Sequence, residues 1–375
     1  MSTRKKNLKH WIGQIHLWLG LTSGLFVCFL GITGCILAFE TEIENITQPY
    51  RFVKEQKAAY IEPSKLKSIA DKKVPGKHAH SVSYQPGKAS QVVYYASEPE
   101  YYWTVFLNPY NGQVLKVKNM EDDFFRIVIN GHYYLWLPHE IGQPILASAT
   151  LMFLFLLISG LILWWPRNQA ASRKRFTFNW KKHTSWKRKN YDIHQIFGFY
   201  IFIIAFFVAL SGLCMVLPQL DSAMVYIINF GAENEKATMM HTSHMGGKIT
   251  AVEEKDSILN TIAAHALVMN PGAVKHRIFT PKTGKDPIVV KNYKDQGTHF
   301  AYLQDQYDPS TAGHTSTTYF AVLSAGEQVH EAMYDIHVGA ILGLPGKILA
   351  FLVSLITSTL PISGFLIWKG RRNKI

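Results

Sequence analysis

The chain has 375 residues, with 39 Lys+Arg against 26 Asp+Glu and a formal net charge of +13. Hydrophobic residues make up 48% and charged residues 17%, below the roughly 25% charged residues usual in a soluble domain. With aromatics at 13%, this balance excludes a disordered chain, and the clustering of the apolar residues excludes a purely soluble one.

Four stretches carry almost no charge: 11–39, 144–165, 193–217 and 341–368. Each exceeds the ~20 apolar residues that cross a bilayer. In chain order the sequence reads as a basic arm (1–10), a first span (11–40), an outer segment (41–143), a second span (144–166), a basic loop (167–191), a third span (192–218), a second outer segment (219–340), a fourth span (341–368) and a basic tail (369–375). Residues 1–11, 166–191 and 369–375 hold 17 of the 39 Lys+Arg and no Asp or Glu. Cations confined to short loops on one side are the positive-inside pattern. The expected topology is a multi-pass protein of the bacterial inner membrane with both termini in the cytoplasm and both long segments outside. The basic excess thus marks the lipid bilayer, not nucleic acid, as partner.

Cys28, Cys35 and Cys214 all fall inside spans. The outer segments therefore need no disulfide, and no Cys-x-x-Cys-His haem attachment exists. Ile32-Thr33-Gly34-Cys35 fits a lipoprotein cleavage box, but the apolar run before Cys35, about 24 residues, is longer than a signal-peptide core. The first span is expected to be retained.

The first outer segment predicts a helix over 63–72 and strands at 80–84, 91–96, 102–107 and 113–117, with Asn108-Pro109-Tyr110-Asn111-Gly112 as a strong turn. The second predicts a helix over 255–269 and strands at 275–280, 286–292 and 319–323, with Ser324-Ala325-Gly326 as the turn. Two α+β domains are expected, one per segment.

The halves resemble each other. His16 is followed by Gly20 and Thr33-Gly34, and His194 by Gly198 and Ser211-Gly212. The second span ends with Ser159-Gly160 near Trp164, the fourth with Ser363-Gly364 near Trp368. His132 precedes Gly160 much as His337 precedes Gly364. Span, outer domain, span, used twice from the same side, makes two parallel repeats, unlike the inverted repeats of many transporters.

Histidines at the edges of spans are candidates for function. The repeat relates His16 to His194 and His132 to His337, so a two-fold axis brings each pair face to face. Such pairs suit a planar cofactor with two axial imidazoles, a bis-histidine haem b, two in all. Gly20, Gly198, Gly131 and Gly339 are expected to leave room for the macrocycle. The spans bury no carboxylate within their apolar runs, which favours an electron conduit over a proton-coupled pump. His139 and His330 are further candidates beside the outer pair. Met239, Met240, His241, His244 and Met245 form a soft-ligand segment that suits Cu(I) or iron. No Gly-x-Gly-x-x-Gly after a strand and no Walker loop occurs, so an electron donor must be another protein or a membrane quinol.

Taken together, His16-Leu17-Trp18-Leu19-Gly20-Leu21, the run from Val105 through Asn108-Pro109 to Val114, Ser159-Gly160 through Trp165-Pro166-Arg167, and His337-Val338-Gly339 through Pro345-Gly346 resemble the PepSY-associated transmembrane family over nearly the whole chain. The resemblance implies a four-helix membrane bundle with two periplasmic PepSY-like domains. It implies haem b on His16, His132, His194 and His337, and reduction of a ferric siderophore or other Fe(III) chelate in the periplasm, fed by a cytoplasmic reductase or a quinol. The alternatives are a non-catalytic accessory or metal-binding membrane protein, and a cupric reductase served by the Met/His segment. The Met/His segment and the absence of an Asp/Asn-Pro turn in the second outer segment depart from the family pattern.

Overall fold

The computed structural model describes residues 8–97, 99–166, 175–232, 256–281, 283, 286–295 and 297–372. The Met/His segment, residues 239–245, lies outside them. The chain divides into two compact units: 1–40, 128–223 and 333–375 form one, 41–127 and 224–332 the other.

The first unit is built on four helices long and apolar enough to cross a membrane. These are α1 (Leu8–Leu37), α5 (His139–Trp164), α6 (Trp186–Val216) and α11 (Gly343–Arg372), of 30, 26, 31 and 30 residues. At 1.5 Å per residue each exceeds the hydrocarbon thickness of about 30 Å. Backbone groups satisfied within a helix are what permit the crossing. The helices meet through small residues. A Cβ on Gly31 would lie 2.7 Å from the Ser354 carbonyl and 2.8 Å from Ser358 Cβ, and one on Gly24 would lie 3.1 Å from Pro361. Cys28 Sγ donates to the Ser358 carbonyl at 3.0 Å. Gly24, Cys28, Gly31 and Cys35 follow helical spacing, so α1 lays a smooth seam on α11.

Two short helices belong partly or wholly to this unit and lead into spans. These are α4 (Phe124–Tyr134), before α5, and α10 (Met333–His337), before α11. The chain reverses sharply after each. Leu135 and Trp136 take left-handed φ values of 59° and 56° after α4, and Gly339 takes 78° after α10. The helices α2 (Glu40–Thr47) and α7 (Pro218–Ile228) follow spans one and three.

The second unit contains one eight-stranded antiparallel sheet. The strands are β1 (Ala79–Tyr84), β2 (Ser90–Ser97), β3 (Glu100–Leu107), β4 (Val114–Asn119), β5 (Lys275–Phe279), β6 (Ile288–Tyr293), β7 (Tyr302–Tyr307) and β8 (His314–Tyr319), in the order β4-β3-β2-β1-β5-β6-β7-β8. Helices α3 (Pro63–Asp71) and α8 (Asp256–Met269) cover one face. Leu66, Ala70, Leu259, Ile262 and Ala266 pack there on Val82, Tyr94, Val105, Ile278, Val290 and Tyr307. Alternate strand positions feed this core, as period-two patterning requires. A last helix, α9 (Ala325–Glu331), begins at a Ser324/Glu327 capping box.

Two expectations from sequence are corrected. The outer segments do not make separate sheets: β1 pairs with β5, with Ser83 opposite Arg277, so both contribute to one sheet. Each set of four strands would otherwise leave β1 or β5 as an unpaired edge. The second correction concerns the turn. Residues 319–323 are not a strand: β8 ends at Tyr319 and a 3-10 turn, Phe320–Val322, follows. The true counterpart of Asn108–Gly112 is Asp308-Pro309-Ser310-Thr311-Ala312-Gly313, between β7 and β8. The Asn108 amide donates to the Gln113 carbonyl at 2.8 Å, and the Asp308 amide to the Gly313 carbonyl at 2.9 Å.

Candidate functional site

The four histidines singled out from sequence assemble into two pairs within the helical unit. His16 on α1 and His194 on α6 have ring centres 6.4 Å apart with planes at 90°. His132 on α4 and His337 on α10 have ring centres 6.2 Å apart with planes at 66°. Seventeen residues separate His16 from Thr33, which touches His132, and seventeen separate His194 from Ser211, which touches His337. At helical rise that places the pairs about 25 Å apart along the spans.

Each histidine docks on a Ser-Gly or Thr-Gly dipeptide of another span. His16 Nδ1 lies 2.9 Å from Ser159 Oγ, and His194 Nδ1 lies 2.8 Å from Ser363 Oγ. His132 Nδ1 lies 2.7 Å from Thr33 Oγ1. His337 Nδ1 lies 3.2 Å from Ser211 Oγ and 2.8 Å from the Val208 carbonyl. The glycine that follows each hydroxyl residue admits the ring. A Cβ on Gly160 or Gly364 would lie 3.3 Å from Cε1 of His16 or His194, one on Gly34 3.8 Å from His132 Cε1, and one on Gly212 2.9 Å from His337 Cε1.

Each hydroxyl also lies within hydrogen-bond distance of a carbonyl of its own helix. Ser159 donates to the Phe155 carbonyl at 2.7 Å, Ser363 to Leu360 at 2.9 Å, Thr33 to Phe29 at 2.8 Å and Ser211 to Val208 at 2.9 Å. A hydroxyl that donates to its own helix is left to accept from its partner. That arrangement suits the tautomer with the proton on Nδ1, which leaves the Nε2 lone pair open; for His337 the Val208 carbonyl, which can only accept, requires it. No hydrogen bond engages Nε2 of these four rings among the described residues.

The glycines expected to make room for a macrocycle do something else. Gly20 faces Leu156 and Gly198 faces Leu360 across helix contacts, Gly131 lies against the Trp136 ring, and Gly339 packs on the Gly346 backbone. Gly131 and Gly339 permit the close turns that follow His132 and His337, whereas Gly20 and Gly198 make only ordinary contacts. Sequence reasoning noted the Ser/Thr-Gly dipeptides only as marks of internal similarity. Their recurrence in all four spans was the signal for their role. His139 stands apart from the pairs, its ring 5.6 Å from Tyr133 and 5.9 Å from Tyr134. His330 lies on α9, in the other unit.

Two facing imidazoles are a donor set that a haem iron would accept. Two imidazoles on opposite sides of one iron, with bonds of about 2 Å, hold their ring centres about 6 Å apart, the spacing of both pairs. Among the described residues no cluster of three or more His, Cys, Asp or Glu is arranged to hold a metal ion. A macrocycle brings its own four equatorial nitrogens and needs only two from the protein.

Four helices long and apolar enough to cross a membrane, beside a separate antiparallel sheet, mark the chain as a membrane protein. The family model described as the PepSY-associated TM region matches residues 14–371, and the chain belongs to that family. No curated protein matches the chain.

Proposed function

We propose that the protein is a haem-dependent ferric-chelate reductase of the bacterial inner membrane, built from two parallel repeats with both termini in the cytoplasm and the sheet unit in the periplasm. The observation that carries this reading is the fourfold relay from helix carbonyl to hydroxyl to Nδ1–H. It leaves Nε2 of each ring without a hydrogen bond among the described residues, and the ring centres of each pair lie 6.4 and 6.2 Å apart.

Bound haem iron supplies one-electron chemistry between its ferric and ferrous states. The protein's own residues do the rest. Nε2 of His16 and His194 would hold one iron, and Nε2 of His132 and His337 the other. Ser159, Ser363, Thr33 and Ser211 fix each ring's tautomer and rotation and raise its basicity. Val208 adds a second acceptor for His337 Nδ1–H. The apolar bundle around Ile201, Ala205, Ala209 and Val353 excludes water. The substrate is Fe(III) in a siderophore or other chelate. One electron, from a cytoplasmic reductase or a quinol, converts it to Fe(II), which hard oxygen donors hold less tightly. The cupric alternative rests on Met239, Met240, His241, His244 and Met245, all outside the described residues.

The test is an absorbance spectrum of the detergent-purified protein, expressed with ample haem, reduced with dithionite and then mixed with a ferric siderophore. Sharp low-spin b-type bands that reoxidise on mixing are expected. A preparation without haem would return the protein to the accessory class. His16→Ala or His194→Ala should remove one haem and spare the other. Loss of both or neither from each single change would refute the pairing.

A further inference from the structure

The face of the sheet opposite α3 and α8 carries all five Lys and Arg residues that the eight strands contain: Lys116, Lys118, Lys275, Arg277 and Lys291. Their neighbours in sequence, among them Val117, Ile278 and Val290, point into the apolar core, so alternation sends these five to the other side. Lys118 has partners there, Asp123 at 2.6 Å and Glu44 at 3.8 Å. Among the described residues the three at the centre, Lys275, Arg277 and Lys291, have no carboxylate within ion-pair distance, although the charge of Glu331 acts on Lys291.

Arg277 stands directly opposite Lys291 in the β5–β6 register, at a Cα separation of about 5 Å. Like charges so placed destabilise a sheet. Lys275 lies two residues along β5 on the same face, about 7 Å from Arg277. All three are half-buried. Burial, with Arg277 and Arg51 nearby, pulls Lys275 down to about 8. Aromatic rings hold the long side chains in place: Lys291 Nζ is 4.0 Å from the Tyr302 ring centre, Lys275 Nζ 5.3 Å from that of Tyr293, and Arg277 Cζ 5.0 Å from that of Phe279. Arg277 Nε donates to Ser81 Oγ at 3.1 Å. The same row across the sheet continues through Ser83 and Gln91 on one side and Gln304 on the other. Glu331, whose charge acts on Lys291, also accepts from the Tyr302 hydroxyl at 2.7 Å, and Glu44 pairs with Arg51.

We propose that Lys275, Arg277 and Lys291 form a binding site for a small soluble polyanion carrying two or more carboxylate or phosphate groups. The guanidinium fork matches one planar oxyanion group in bidentate fashion, and the two ammonium groups take a second as point charges. A bound polyanion removes the repulsion between Arg277 and Lys291 that the empty fold endures. In a ferric-chelate reductase this site selects chelates of net negative charge. That consequence alone rests on the reductase reading.

The experiment is calorimetric titration of the full chain in zwitterionic detergent with citrate, redox-inert Ga(III) citrate, inorganic phosphate and dihexanoyl phosphatidylglycerol. Citrate and its gallium complex should bind, more weakly at high salt. Arg277→Gln and Lys291→Gln should each weaken them at least tenfold, while raising the melting temperature of the ligand-free protein. Lys116→Gln, near the sheet edge, should leave binding unchanged. Arg277→Glu, which can pair with Lys291, should fold and lose binding altogether. Equal affinity in wild type and Arg277→Gln, or no heat with citrate or phosphate, overturns the proposal. Binding of the lipid alone moves the site to a headgroup and overturns the soluble ligand. Gallium removes electron transfer from the readout, so a missing haem and a missing anion site are seen separately.

Discussion

The Nδ1 atom of His16 and the hydroxyl of Ser159, 143 residues apart in the chain, meet at 2.9 Å. Ser159 Oγ also lies 2.7 Å from the Phe155 carbonyl, and with its proton directed there it accepts from Nδ1–H. In the proposed haem site, Ser159 would hold the His16 ring with Nε2 open to the iron. Ser159→Ala should leave the helix intact and free the ring to rotate and change tautomer. Haem affinity at the His16/His194 pair is expected to fall about 10- to 100-fold, with the other pair unaffected. Titration of the apoprotein with haem, followed by the Soret band, measures this, and Ser159→Thr should recover most of the loss.

Gly212 makes the complementary case. Its missing side chain is where His337 Cε1 sits, 2.9 Å from an ideal Cβ. Gly212→Val must displace that ring, while the Cβ of a valine is well tolerated by a buried helix. The expected result is a folded protein with half the haem of wild type, the His132/His337 pair being the one lost. A pyridine haemochrome assay against protein concentration reads it directly.

How much of this was legible beforehand differs by element. The spans were legible because length, hydropathy and the placement of Lys and Arg are local properties. The four histidines were legible because internal similarity marked them. Their supporting hydroxyls were not assigned, because which face of α5 meets His16 depends on how helices cross. The single sheet was invisible for the same reason: the contact of Ser83 with Arg277 joins residues nearly two hundred apart. Strand β7, Tyr302–Tyr307, was missed because its inward positions include Asp305, only 4% exposed. That carboxylate accepts from Asn270, Asn292 and Thr317, and a buried acid satisfied by three partners does not read as a core residue. With β7 missed, the Asp308-Pro309 turn was missed too.

That turn carries a correctable strain. Gly112 and Ala312 hold equivalent positions in their hairpins, with φ of 74° and 60°. Glycine reaches this region freely, and an L-residue there costs about 1–2 kcal/mol. Glycine's greater freedom in the unfolded chain offsets about 0.5–1 kcal/mol of the relief. Ala312→Gly should therefore stabilise the sheet unit by up to about 1 kcal/mol, raising its melting temperature by about 2–4 °C. Gly112→Ala should do the opposite, more severely, because its Cβ would also lie 2.7 Å from Ile69 Cδ1. Thermal melts of the three proteins in one detergent compare them.

The α1–α11 seam is tested at Gly31. A Cβ there would press on the Ser354 carbonyl and on Ser358 at 2.7–3.0 Å, contacts with backbone that cannot move aside alone. Gly31→Leu should push the helices apart, losing the Cys28–Ser358 hydrogen bond with it. The expected readout is lower yield of monodisperse protein in size-exclusion chromatography. Gly13→Leu should be far milder, since a Cβ there finds only Leu163 Cδ2 at 3.9 Å.

Lys275 gives the sheet unit a pH dependence of definite sign. Burial first, then the charges of Arg277 and Arg51, lower it from 10.5 to about 8. Between those values the unfolded chain binds a proton that the folded protein releases. Stability then rises with pH across that window. Below about 8 the folded state carries the full cost of the buried cation, and above 10.5 none of it. Melting temperature should climb as pH rises from 7.5 through 9.5. Lys275→Met removes the titrating group and should flatten that climb while raising stability at neutral pH. A wild-type profile that declines steadily over the same range, matching Lys275→Met, would show that the lysine's charge is compensated in the folded protein.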